Sequence, residues 1–509
     1  MGSSLFSLLK GMRRIAVGSH NLFSGTVRSF SSKKLSRMSL YSIISPIGNP
    51  KISIVPELDS WVDTGKSVRV HELIHIIRDL RKRRRFSQAL EVSEWMSNRG
   101  ICELSTGDHA IRLDLIGKVR GLDSAESYFN SLNEEERTDK IYSALLNCYV
   151  RERLSEKSVS HMQKMKEMGF VSTSLPYNNL MSLYTVVGQH EKVPDLLNEM
   201  KENGILPNNF SYRVCINSYG SRSDIEGMEK VLKEMTQQHF ILMDWNTYAV
   251  VANFYIKAGH AEKAVAALKK AEDILLEMPD GVGFNHIVSL YGNLGNKSEV
   301  LRLKEVQRSV CERLMNRDYI AILGALTKLG ELEESRLLLQ EWEFSGNGYD
   351  FRVPNTILIG YCQKGLVEEA ELLLEEIVKK GKTPIPNSFG ILAAGYMDKG
   401  EMGKAVDYMM RALSVFPGNE GWNPNPKVVT SILNWLGQEG DIKQVESFVG
   451  FLSAVVPINR EMYLALIKAN LRGGKEVDGL LKSMEADKLE VDEETKKMLE
   501  NLAGGDPKN

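Results

Sequence analysis

A glycine returns through this chain about every 35 residues. Gly259, Gly295, Gly330, Gly365, Gly400, Gly440 and Gly474 are separated by 36, 35, 35, 35, 40 and 34 residues. Gly188 lies 71 residues before Gly259, two periods away, and Ser223 fills the gap. Two further series keep the same phase. Four residues ahead of the glycines run Tyr184, Tyr219, Tyr255, Tyr291, Leu326, Tyr361, Tyr396 and Leu436. Eleven ahead run Tyr177, Tyr212, Tyr248, Phe284, Tyr319, Phe389 and Tyr463. A period of this length marks a repeat architecture, in which each unit leans on its neighbours.

The unit reads as two helices. In the first, Tyr177, Leu180, Met181 and Tyr184 share one helical face. Gly188 then ends the helix, because glycine takes the left-handed conformation without a Cβ clash. A second amphipathic segment, Val193–Met200, carries Leu196, Leu197 and Met200 on one face. Pro194 inside it predicts a late start or a kink. With the aromatic at position four, units start near 70, 106, 139, 174, 209, 245, 281, 316, 351, 386, 426 and 460, the earliest two placed by Ala89 and Ala125, which sit where later units have Ala370 and Ala405. The expected fold is all-α: a right-handed superhelical α-solenoid of about twelve helix–turn–helix units over 70–492, with a capping segment and tail at 493–509. Pro417–Pro426 reads as a surface loop inserted in the 386 unit.

Charge divides the chain before that solenoid begins. The 509 residues hold 64 Lys+Arg against 66 Asp+Glu, yet no acid precedes Glu57. Residues 1–56 hold eight basic side chains and thirteen serines. Leu5, Phe6, Leu8, Leu9, Met12 and Ile15 form an apolar helical face edged by Lys10, Arg13 and Arg14. That is the composition of an organelle import signal, mitochondrial or alternatively chloroplast. Arg28-Ser29-Phe30-Ser31 resembles a mitochondrial cleavage site, so residues 1–56 are expected to be a transit peptide and disordered leader, and 57–69 a linker. The remaining body holds 56 basic and 66 acidic residues, which excludes binding of polyanions by bulk charge alone. No apolar run reaches the roughly 18 residues of a membrane span. Five scattered cysteines without a CxxC pair argue against a disulfide framework or a cysteine-rich zinc site.

The 35-residue unit, the aromatic at position four, the Gly365-Leu-Val-Glu-Glu-Ala370 entry to a second helix and the Gly204-Ile-Leu-Pro207 exit resemble pentatricopeptide repeats. The type is that of the pure-repeat proteins of plant organelles. The 34-residue tetratricopeptide unit, with its W-x2-L-G-x2-Y first helix, does not fit. The resemblance implies a protein of the mitochondrial matrix that binds single-stranded RNA of mitochondrial transcripts. It would act without catalysis or cofactor in RNA processing, stability or translation. The alternative is a protein-interaction scaffold, partnered by ribosomal or other mitochondrial proteins.

In such repeats one unit meets one base, read by side chains at position five and at the last position. Carried over, the pairs are Ser143 with Thr173, Asn178 with Asn208, Arg213 with Asp244, Ala249 with Asp280, Asn285 with Met315, Ile320 with Asp350, Asn355 with Ile385, Gly390 with Asn425, and Thr430 with Asn459. Asn178/Asn208 resembles a pyrimidine reader and Thr430/Asn459 an adenine reader. Ala249, Ile320 and Gly390 have no side-chain hydrogen bond to offer. At position two, where the family places an apolar plate against the base, only Leu175, Phe210 and Val282 qualify. Any grip on phosphate must come from local cations such as Lys140, Arg213, Arg317 and Arg352.

Two other features stand out. Arg78 and the run Arg81-Lys-Arg-Arg-Arg85 are expected either to clamp phosphate or to form a solvated turn or polar end cap of the solenoid, with a nuclear signal the weaker third reading. His260-Ala-Glu262 matches half of a zinc deaminase signature, but no CxxC follows to complete the metal site.

Overall fold

The computed structural model describes residues 39–49, 52–415 and 421–503. The import features at positions 5–15 and 28–31 lie outside the described residues, as does the first part of the 417–426 insertion. Among the described residues there are 27 helices and no strand. First helices begin at Val70, Thr106, Asp139, Ser174, Asn209, Trp245, Gly281, Asn316, Arg352, Pro386, Pro426 and Arg460. Each is followed by a second helix, and the starts fall within one residue of the periodic expectation. The second helix of the 174 unit, Lys192–Glu202, starts two residues later in its unit than Ile225–Gln237 does in the next. Pro194 sits in its first turn, where the missing N–H has no helical partner to lose.

The turn between paired helices explains the glycine series. Gly188, Gly259, Gly295, Gly330, Gly365, Gly400 and Gly474 all have φ between 66° and 85°. Where the series lapses, Arg153 and Ser223 take the same left-handed turn at φ 58° and 60°. Gly440 differs: its φ is −69°, and it leads into a capping box in which Asp441 holds the Gln444 N–H.

The chain divides into two compact units, whose described residues lie within 39–274 and 275–503. In each, the aromatic series forms the core. Tyr142, Tyr177 and Tyr212 are buried in the first, and Phe284, Tyr319, Tyr361, Tyr396 and Tyr463 in the second. A ladder stitches neighbouring pairs together. Tyr177 Oη donates to Glu199 at 2.9 Å and Tyr212 Oη to Glu234 at 2.8 Å. Lys166 and Lys201, each on the preceding second helix, pair with the same two glutamates. Tyr319 repeats the motif on Glu341 at 3.1 Å, with Lys304 at 3.0 Å. At the far end, Met498 and Leu499 of helix Glu493–Ala503 pack on a cluster of Tyr463, Ile467, Leu471, Val477 and Met484.

One expectation is corrected here. Residues 40–69 are not merely leader and linker: they contain helices Leu40–Ile44 and Val55–Asp63. Leu40, Ile44, Ile54 and Leu58 are buried. The physical reason is that the first helix pair has no earlier neighbour, and these side chains cover its apolar edge. Arg85, itself buried, donates to the carbonyls of Ser45 (3.0 Å) and Ile44 (3.2 Å). Gln88 donates to those of Asn49 (3.1 Å) and Ile52 (2.8 Å). Polar groups at the end of this segment are thereby satisfied from the body.

Candidate nucleic-acid interface

The residue that ends one unit is also the N-cap of the next first helix. Asn208 accepts from the Ser211 N–H at 3.0 Å, Asp244 from Thr247 at 2.8 Å, Asn425 from Lys427 at 3.0 Å and Asn459 from Met462 at 3.1 Å. Asp280 caps through Val282 at 2.9 Å. Short polar side chains stand here because helix N–H groups need an acceptor.

Two of the expected pairs are joined directly. Asn178 Nδ2 lies 3.4 Å from Asn208 Oδ1, and Arg213 Nη1 lies 2.8 Å from Asp244 Oδ2. Burial alone would raise the Asp244 carboxyl, but the Thr247 hydrogen bonds and the Arg213 charge hold it below its ordinary value. Arg213 is therefore half of an ion pair. Asn285 and Asn355 bond instead to the third residue of the following unit, Asp318 at 2.7 Å and Ser388 at 2.8 Å. Ser143 is half-buried, Thr173 exposed and capping without a side-chain bond, and Thr430 exposed.

The apolar plates stand where a base could meet them. Leu175, Phe210 and Val282 are 55%, 43% and 51% exposed. Helices Ser174–Val186, Asn209–Ser221 and Trp245–Lys257 border a groove of about 300 Å³, lined by Ser182, Thr185, Arg213, Asn217, Asn246 and Val250 among others.

The expected cations divide. Lys140 is exposed, and Arg317 is 62% exposed with Asp318 3.5 Å away. Arg352 is bound to Asp350 at 2.6 Å, and its hydrogen bond holds that carboxyl below the usual range. The Arg81–Arg85 run does not act as one patch: Arg81 pairs with Asp114, Arg83 with Asp79, and Arg85 is buried.

One cluster escaped the sequence reading. Buried Asp114 faces Arg81 (3.2 Å), Lys118 (2.7 Å) and Arg151 (3.6 Å), contributed by three successive first helices. Three cations around one carboxylate leave an excess of positive charge. A signal for it was present, since Lys82, Lys118, Arg151, Lys257, Lys328 and Arg472 recur in the last turn of first helices. There they also favour the negative helix end. His260 packs its ring edge-on to Tyr255, and among the described residues no group of three His, Cys, Asp or Glu could hold a metal. Nor is any helix among them long and apolar enough to cross a membrane.

Comparison with known proteins adds the following. The profile described as PPR repeat family matches residues 172–221, and the PPR repeat profile matches 140–170, 210–240 and 353–381. A mitochondrial pentatricopeptide repeat-containing protein of Arabidopsis thaliana is 50% identical over 469 residues, 92% of this chain and 95% of its own. The large ribosomal subunit protein mL101 (rPPR4) of the same plant is 33% identical over 482 residues, 94% of this chain and 98% of its own. The crystal structure of the maize pentatricopeptide repeat protein PPR10 aligns at 19% identity with a TM-score of 0.46, covering 79% of this chain and 60% of that one.

Proposed function

The chain belongs to the pentatricopeptide repeat family, and on that premise we propose that it binds single-stranded RNA in mitochondria and acts there by occupancy, without catalysis. Bound RNA would be shielded or remodelled during processing, stabilisation or translation of mitochondrial transcripts. The observation that carries this is the 174 unit. Asn178 and Asn208 meet at 3.4 Å, and the exposed plates Leu175 and Phe210 belong to this unit and the next. A splayed base placed there would stack on an apolar side chain and find amide groups at its edge. The basic, acid-free leader and the mitochondrial relative at 50% identity support the compartment. The test is selection of RNA from a random pool by the protein from residue 39 onward, which keeps the docked helices, with crosslinked transcripts recovered from mitochondria. Failure to enrich any sequence in either assay would overturn it.

A second reading has its own support. Similarity to mL101 spans 98% of that ribosomal protein, and the body beyond residue 56 is acidic. If this chain is a stable ribosomal component, it will co-sediment with mitochondrial ribosomal particles through high salt and leave no selective footprint on messenger RNA.

A further inference from the structure

Three position-five asparagines sit in two different hydrogen-bond states, and one neighbouring residue separates them. Asn178 faces Ser211, Asn355 faces Ser388, and Asn285 faces Asp318. Each partner is the third residue of the following unit, 33 positions on, and each is buried.

With serine, the amide is held by its oxygen. Ser211 Oγ accepts the Asn208 N–H at 3.2 Å, and of the two acceptors for its single proton Asn178 Oδ1 at 2.7 Å is closer than Asn208 Oδ1 at 3.1 Å. Asn178 Nδ2 then turns to Asn208 Oδ1 at 3.4 Å, a long bond. Ser388 holds Asn355 Oδ1 at 2.8 Å in the same way. Here the last position is Ile385, which offers no acceptor, and Asn355 Nδ2 has no partner although the residue is only 3% exposed. A buried amide donor left unpaired is costly, and an acceptor that satisfied it would gain in proportion.

With aspartate, the amide is held by its nitrogen. A carboxylate can only accept, so Asp318 Oδ1 takes Asn285 Nδ2 at 2.7 Å. Asp318 Oδ2 meanwhile accepts the Met315 N–H at 2.7 Å, which fixes the carboxylate in place. Fully buried Gln307 donates to Asn285 Oδ1 at 3.2 Å. Both ends of the Asn285 amide are therefore engaged within the protein, the nitrogen through one of its two N–H groups in a bond to a carboxylate that is much shorter than the 3.4 Å bond of Asn178.

We propose that the third residue of each following unit is a positioning residue that decides whether a position-five asparagine can read a base. Ser211 and Ser388 leave the amide N–H of Asn178 and Asn355 for an acceptor on the base edge, such as a pyrimidine carbonyl. Asp318 withdraws Asn285 from reading. This rests on the RNA-binding function proposed above. It assigns specificity to side chains that touch no RNA, and it makes the 281 unit silent although its position-five residue is the same.

The experiment is selection of binding sequences from a random RNA pool by the wild-type protein and by Asp318→Ser, Ser388→Asp and Ser388→Thr. Asp318→Ser should create a preference of about fivefold, one hydrogen bond's worth, for an acceptor-bearing base at a single new nucleotide. Ser388→Asp should erase a preference of similar size at the nucleotide met by the 351 unit, and Ser388→Thr, which keeps the hydroxyl, should retain it. A purely structural role would change total affinity or melting and leave the per-nucleotide pattern intact. A wild-type preference that survives unchanged in Asp318→Ser and Ser388→Asp overturns the proposal alone. A wild-type protein that enriches no sequence overturns the RNA-binding function and this proposal with it. Asp318→Thr serves as a second variant should Asp318→Ser fold poorly.

Discussion

The Tyr177 hydroxyl donates to Glu199 across 2.9 Å, joining the first helix of a unit to its second. Burial, and then the glutamate, push that tyrosine up to about 12. In the unfolded chain it titrates near 10. Below pH 10 both states hold the proton and the stabilisation is complete. Between about 10 and 12 only the unfolded chain loses its proton, so stability falls. Tyr177→Phe should lower stability near neutral pH by about 1–2 kcal/mol. It should also flatten the decline above pH 10, as read from urea midpoints at a series of pH values.

Arg153 and Ser223 occupy turns that their sister units give to glycine. A left-handed residue with a Cβ costs roughly 1–2 kcal/mol, partly offset by the greater chain entropy of glycine. Arg153→Gly and Ser223→Gly are each expected to stabilise the protein by about 0.5–1 kcal/mol. Chemical denaturation measures this directly, and a loss of stability would show that the side chains contribute more than the turn costs them.

Arg85 ties residues 44 and 45 to the body through two carbonyls. Replacing it with methionine keeps much of the volume but removes those donors. About 1.5–3 kcal/mol of local stability should go with a charged hydrogen bond of this kind. The expected outcome is faster proteolysis between residues 44 and 55, with the repeats beyond residue 70 still protected.

Asp114 holds three cations from three first helices. Asp114→Asn would leave Arg81, Lys118 and Arg151 without their shared carboxylate, destabilising the fold by about 3 kcal/mol. RNA affinity should then fall more steeply with salt, by roughly 0.7 in the log–log slope for each cation released to a phosphate. An unchanged slope would place the cluster away from RNA.

The repeat was legible in the sequence because its punctuation is physical. Glycine at the left-handed turn and buried aromatic residues at two phases recur from residue 177 onward, Ala89 and Ala125 extend the phase to the two earliest units, and the first helices begin within one residue of where these marks put them. Residues 40–63 carry no such period, so nothing in the repeat marks the docking of Leu40, Ile44 and Leu58. The run from Arg81 to Arg85 is continuous in sequence but not in space. On a helix end and turn they diverge, to Asp114, to Asp79 and to backbone carbonyls. The site residues were found by position, but their partners were not. Whether an asparagine is open or engaged depends on a side chain 33 residues later, at a spacing the aromatic series does not reveal.

The N-cap duty of the last position has an evolutionary consequence. Asn208, Asp244, Asp280, Asn425 and Asn459 each secure the start of the next helix. Residues that do this well are few: asparagine, aspartate, serine and threonine. If the same position also recognises a nucleotide, its vocabulary is confined to the side chains that helix architecture already tolerates. A change of target would then be easiest by exchange within that small set, and drift to a residue such as Met315 or Ile385 would surrender both duties at once.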